Sequence, residues 1–211
     1  MTERIKTLHA RAPRLCAAGL LSLLLTACGE QAADTTCKAV GDNRLQDTLF
    51  SALKVPRPQR HWQSSEHSAG GSFTYEATDG VLTIEQIGVE PWMILTQSLD
   101  PRSLAGKVIE FSADIRFELG TPKQAHGLKT GGGLLLTARK NGRVVLNSIF
   151  DHEPNMGVHD WQSIRIVVEI PEEIDYLEVG FMHQAGGLIQ VRNPAVRELT
   201  GTCELTLLGQ P

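Results

Sequence analysis

The sequence predicts an all-β fold, an antiparallel β-sandwich with at most a short N-terminal helix. Three observations predict it. Along 107–118, Ile109, Phe111, Ala113, Ile115 and Phe117 alternate with Glu110, Ser112, Asp114, Arg116 and Glu118, the period-two pattern of a strand with one buried face. Asp79-Gly80 and Asn141-Gly142 are hairpin dipeptides. Pro91, Pro101, Pro122, Pro154, Pro171 and Pro194 fall between strand candidates, which puts turn signals every eight to twelve residues or so.

The chain opens with a targeting segment. Arg4, Lys6, Arg11 and Arg14 precede an apolar run over 15–25, the order of a secretory signal; the run is short of the ~20 apolar residues a bilayer span needs. Leu25-Thr26-Ala27-Cys28 then resembles the bacterial lipobox. The resemblance implies cleavage before Cys28 and acylation of that cysteine, with palmitate among the chains it would carry. Gly29 in place of an Asp implies sorting to the outer membrane. The alternative is an ordinary secretory leader in which Cys28 is incidental. The expected layout is a signal over 1–27, the lipidated cysteine and a polar tether over 28–36, and one sandwich domain over 37–211. Losing 1–27 removes four basic residues and Glu3, which moves the net charge from −4 to −7. The mature domain has no basic excess for nucleic acid and no polybasic patch for anionic lipid, so the acyl chains would supply the membrane contact.

Cys16 leaves with the signal and Cys28 takes lipid. That leaves Cys37 and Cys203, for which a disulfide is expected in an oxidising compartment. A metal site is the alternative, without a CxxC partner near either one. No metal and no cofactor is expected.

After the tether, 45–54 carries a helix-like stripe through Leu45, Leu49, Ala52 and Leu53. Strand candidates follow at 81–87, 92–98, 107–118, 133–139, 143–149, 161–170, 176–182 and 188–192, with 202–208 as the closing strand. The segments at 133–139 and 143–149 form one hairpin about Asn141-Gly142.

Trp92 and Gln97, then Leu104-Ala105-Gly106-Lys107 and Phe111-Ser112-Ala113, resemble the front of carbohydrate-binding modules of the galactose-binding-like jelly-roll class. Asp160-Trp161 with the aliphatics up to Pro171, Tyr176 to Phe181, Gly186-Gly187 and Ile189-Gln190-Val191-Arg192-Asn193 are similar to the later strands. Arg192-Asn193-Pro194 departs from the Asp-Asp ending common there. The resemblance covers about 73–208. It implies a jelly roll whose first and last strands are neighbours, which would bring Cys37 and Cys203 together, and a glycan as the most plausible ligand.

Sugar contact uses aromatic platforms and polar side chains. Trp62, in the polar run 60–65, is the exposed-aromatic candidate; Trp92 reads equally as core or binding, and Trp161 as core. Gln97 joins them as a polar candidate. Two polar loops, 120–132 with His126 and 151–160 with His152 and His159, follow successive strands and would share a rim. The second holds two histidines and three carboxylates, which admits a divalent metal, or a general acid and base; the alternative is a solvated polar loop. Gly131-Gly132-Gly133 lacks the lysine and helix of a phosphate loop, and neither G-x-S-x-G nor H-E-x-x-H occurs. The expected function is therefore a non-enzymatic lipoprotein that binds a glycan. The alternatives are a lipoprotein that docks an envelope protein, and a hydrolase using the 151–160 loop.

Overall fold

The computed structural model describes residues 36–68 and 70–208. They form two antiparallel sheets facing each other across one core. In chain order the strands are β1 (Lys38–Val40), β2 (Gln63–Glu66), β3 (Phe73–Thr78), β4 (Val81–Gln86), β5 (Met93–Leu99), β6 (Val108–Gly120), β7 (Gly131–Lys140), β8 (Arg143–Ile149), β9 (Gly157–Glu169), β10 (Tyr176–Gln184) and β11 (Gly186–Thr200). The first sheet runs β3-β4-β11-β6-β9, with β1 on the end of β11; the second runs β2-β5-β10-β7-β8.

Alternation sets which side chains meet. The odd-numbered residues of β6 from Ile109 to Leu119 are all buried, and Ile164, Ile166 and Val168 of β9 cover the same core. Leu177, Val179 and Phe181 of β10 and Leu134, Leu136 and Ala138 of β7 face them from the second sheet. A one-residue slip in any of these strands would turn its apolar set to solvent. Asp79 and Gly80, and likewise Asn141 and Gly142, have positive φ, the backbone that two-residue hairpin loops require.

Cys37 and Cys203 are bonded, with Cα atoms 4.8 Å apart, and Lys38 pairs with Thr200. The first and last strands are therefore neighbours.

Two expectations are corrected. Residues 45–54 are not helical: Asp47 and Phe50 have positive φ, and the Asp47 carboxylate accepts the Ser51 and Ala52 N–H groups in a run of turns. Among the described residues the one α-helix is the single turn Pro101–Leu104. Residues 202–208 are not a strand. The closing strand is the end of β11, which continues through Pro194 by means of a bulge between Arg192 and Ala195. The signal and Cys28 lie outside the described residues.

Candidate ligand-binding face

The outward side of the five-stranded sheet is the candidate site. Its inner side chains belong to the core, and its outer ones fall into rows across the strands. Ile94 pairs with Met182. Thr96, Gly180, Leu135 and Ile149 form the next row, and Ser98, Glu178, Thr137 and Asn147 the one after. Tyr176 and Arg139 pair beyond them. The floor between Thr96 and Leu135 is Gly180, where a Cβ would meet the Leu95 carbonyl oxygen at 2.1 Å. Only glycine keeps that floor flat.

The result is a shallow depression of about 270 Å³ with two chemically distinct halves. One half is apolar, made by Trp92, Ile94, Leu135, Ile149 and Met182. Trp92 sits just before β5, half-buried, with the His67 ring set edge-on 5.9 Å away. His67 Nδ1 is 2.9 Å from Glu90. Hydrogen bonds from Ser68 and His67 hold the Glu90 carboxyl below its usual range.

The other half is polar. Glu178 is only 9% exposed, and the Tyr176 hydroxyl donates to it at 2.9 Å. Burial raises the Tyr176 phenol, so it remains a donor at neutral pH. The Thr137 hydroxyl donates to the Asn147 amide oxygen at 2.9 Å. That leaves the Asn147 amide nitrogen to donate outward, beside a carboxylate that accepts.

The sequence-expected residues scatter. Trp62 is corrected: it is 1% exposed, stacked on Phe181 at 5.5 Å, and its Nε1–H donates to the Asp47 carbonyl. It holds the irregular 45–54 segment against the core and offers no platform. Gln97 points inward, and its amide bonds both the N–H and the carbonyl of Gln46. Trp161, expected in the core, is only half-buried. It lies on the other sheet with the Arg192 guanidinium 4.1 Å over its ring. Of the aromatic and glutamine candidates, Trp92 alone lines the depression.

The two loops do share a rim, since Gly132 N–H donates to the Asn155 carbonyl at 3.0 Å. Their histidines are occupied. His126 lies 2.9 Å from the Val89 carbonyl, beside a small apolar hollow of about 240 Å³. His152 accepts the Leu134 N–H and donates to Pro154, and burial pushes its pKa down to about 4. His159 bonds the Met156 carbonyl. Among the described residues no three His, Cys, Asp or Glu side chains converge as a metal site. The acid–base chemistry expected of 151–160 thus has no free imidazole at His152, which is spent on backbone hydrogen bonds.

Sequence reading missed Leu135, Thr137, Arg139, Asn147, Glu178 and Met182. One signal was present: 131–138 is apolar or small nearly throughout, the mark of a strand covered on both faces.

No family model matches the chain, and no curated protein matches it. Solved structures do. A structure of CBM4 superposes with a TM-score of 0.51 at 14% identity, covering 73% of this chain and 99% of that one. A xylan-binding domain from CBM 22 gives 0.51 at 15% identity, covering 78% and 100%. The fold is that of the carbohydrate-binding-module jelly rolls. The enzymatically active domain of bacteriophage CBA120 tailspike protein 4 also contains it, at 0.51 and 12% identity; there this chain covers 74% of its own length but only 21% of the tailspike's. At such identities the likeness is one of fold, and the ligand has to be argued from the site itself.

Proposed function

We propose that this chain is a lipid-anchored protein of the outer membrane whose jelly roll is a non-catalytic glycan-binding domain, with the sugar seated on the outer face of the five-stranded sheet. The observation that carries the reading is the division of that face into an apolar half around Trp92 and a polar half around Glu178. A pyranose has the same division: C–H faces that pack on an aromatic ring, and hydroxyls that need both donors and acceptors. Glu178 supplies acceptors; Asn147 and Arg139 supply donors. One of the fold neighbours is itself a xylan-binding domain.

The anchoring half of the proposal rests on the lipobox-like Leu25-Thr26-Ala27-Cys28 and on cysteine use. Cys37 and Cys203 are bonded to each other, which leaves Cys28 for acylation. Labelling cells with an alkyne analogue of palmitate should mark the protein and should fail on Cys28→Ser. A labelled C28S chain would remove the anchor.

A glycan array probed with the protein tests the binding half. Trp92→Ala should weaken the best-bound sugar by about tenfold or more, the loss expected for roughly 1.5–3 kcal/mol of apolar contact. Undiminished binding by W92A would move the site elsewhere.

A second reading, docking of an envelope protein, is favoured by β8. It is an edge strand of its sheet and exposes Val144 and Val145 by nearly half. Val145→Lys would weaken such docking and leave sugar binding in place, because Val145 lies outside the depression that Val144 helps to line.

A further inference from the structure

A cavity lies beside the sugar face, across β5. It holds about 490 Å³ and is floored by Leu99 and Leu104. Two guanidinium groups and an imidazole, Arg44, Arg60 and His61, stand around it against one carboxylate, Asp100. That carboxylate is engaged, since its Oδ1 accepts the Arg102 N–H at 3.1 Å.

The basic groups are largely uncommitted. His61 makes no hydrogen bond or ion pair among the described residues. Arg60 is anchored through Nε to the Val55 carbonyl and through Nη1 to the Tyr75 hydroxyl, which fixes its guanidinium and leaves the second Nη without a partner. Arg44 lies 3.5 Å from Glu198, but Lys107 already holds the same Glu198 oxygen at 2.8 Å. In a chain with a net charge of −4, a cavity with this excess of cations is built against the overall field.

The cavity borders the face described above. Ser98 lines it, and Ser98 is the register partner of Glu178 in the depression. Neighbouring strands lie ~4.8 Å apart, so a group attached to a sugar seated over Glu178 reaches the cavity within one residue's span.

We propose that this cavity is an anion subsite, which takes the carboxylate, sulfate or phosphate of an acidic saccharide whose ring rests on the neighbouring face. The subsite rests on the glycan reading for the ring, but its anion chemistry stands on its own residues. Planar guanidinium groups fork onto such oxyanions.

Two titrations of the full chain in detergent test it. Inorganic phosphate followed by NMR should shift the His61 ring and the Arg44 and Arg60 side-chain resonances, and the Arg60 shift should vanish in Arg44→Gln with His61→Gln. Both residues are exposed, so the fold should survive the change. Second, an oligogalacturonate should bind about tenfold more tightly than its methyl ester, and R44Q/H61Q should erase that difference without weakening the ester. No phosphate shift at Arg44 or His61 overturns the subsite outright. Phosphate shifts with equal affinity for acid and ester overturn its link to the sugar face. Phosphate shifts with neither oligosaccharide bound leave an anion site and sink the glycan reading instead.

Discussion

His152 and His183 show how a single side chain couples packing to pH. His183 is fully buried, with Nε2–H donating to the Gly187 carbonyl at 2.9 Å; His152 is held between Leu134 and Pro154. Burial pushes both pKa values down to about 4 from 6.5. Each imidazole is therefore neutral in the fold, while the unfolded chain takes up a proton near 6.5. Full stability is present above that value, falls as the pH drops from 6.5 toward 4, and is no longer reduced by these groups below it. At about 1.4 kcal/mol per pKa unit the loss is roughly 3 kcal/mol for each histidine as an upper bound. Urea midpoints should fall steadily from about pH 7 to about pH 4.5, and two histidine ring signals should not titrate between about pH 7 and 5. Both rings titrating near 6.5 would contradict the burial. In the sequence, His152 read as a candidate acid or base in a polar loop. Its burial is created by β7, a different segment, and Gly133 leaves room for it: a Cβ there would lie 2.3 Å from the His152 ring. Loop composition carries no trace of that fit.

At the scale of the element, β11 is the strand that ties the first sheet together. It pairs with β6 along its whole length and with β4 and β1 in turn on its other edge. Between those two partners the bulge frees backbone groups, and Asn43 collects them: Nδ2–H donates to the Pro194 carbonyl at 2.9 Å, and Oδ1 accepts the Val196 and Leu45 N–H groups. Asn43→Ala should cost about 2 kcal/mol, because it leaves these groups without partners. Urea denaturation at neutral pH checks this; an unchanged midpoint would mean that water replaces the amide. Strands with one buried face, such as β6 and β9, were legible from alternation alone. The bulge was not. Pro194 reads as a strand end by local rules, and the residue that repairs it lies about 150 positions away in sequence. β2 was missed for a simpler reason, since Gln63-Ser64-Ser65-Glu66 has no apolar period and is a strand only because β5 pairs with it.

At the scale of the whole molecule, β11 gives the sandwich two ends. Gly186 pairs with Gly120, beside the 121–130 loop, and Thr200 pairs with Lys38, beside the disulfide. Fifteen residues of strand separate them by ~45 Å. The chain enters at the second end, where Thr36 bridges Thr202, so an anchor on Cys28 would hold that end to the membrane and present Trp92 and the loops outward. The disulfide closes a loop of 166 residues, which in the chain-entropy model stabilises by about 5 kcal/mol. Cys37→Ser with Cys203→Ser should lower the denaturation midpoint accordingly while the strand content persists, and coincident midpoints would deny the staple any role. Cysteine positions made this link legible in the sequence. The binding face was legible only at Trp92, because its other members are outward residues of four strands that come together only in the folded sheet. The most direct measurement is therefore an amide chemical-shift map of the full chain with the sugar that an array selects. The account predicts shifts gathered on Ile94, Leu135, Thr137, Glu178 and Met182. Shifts confined to 151–160 or to the six-stranded sheet, or no sugar selected at all, would contradict it.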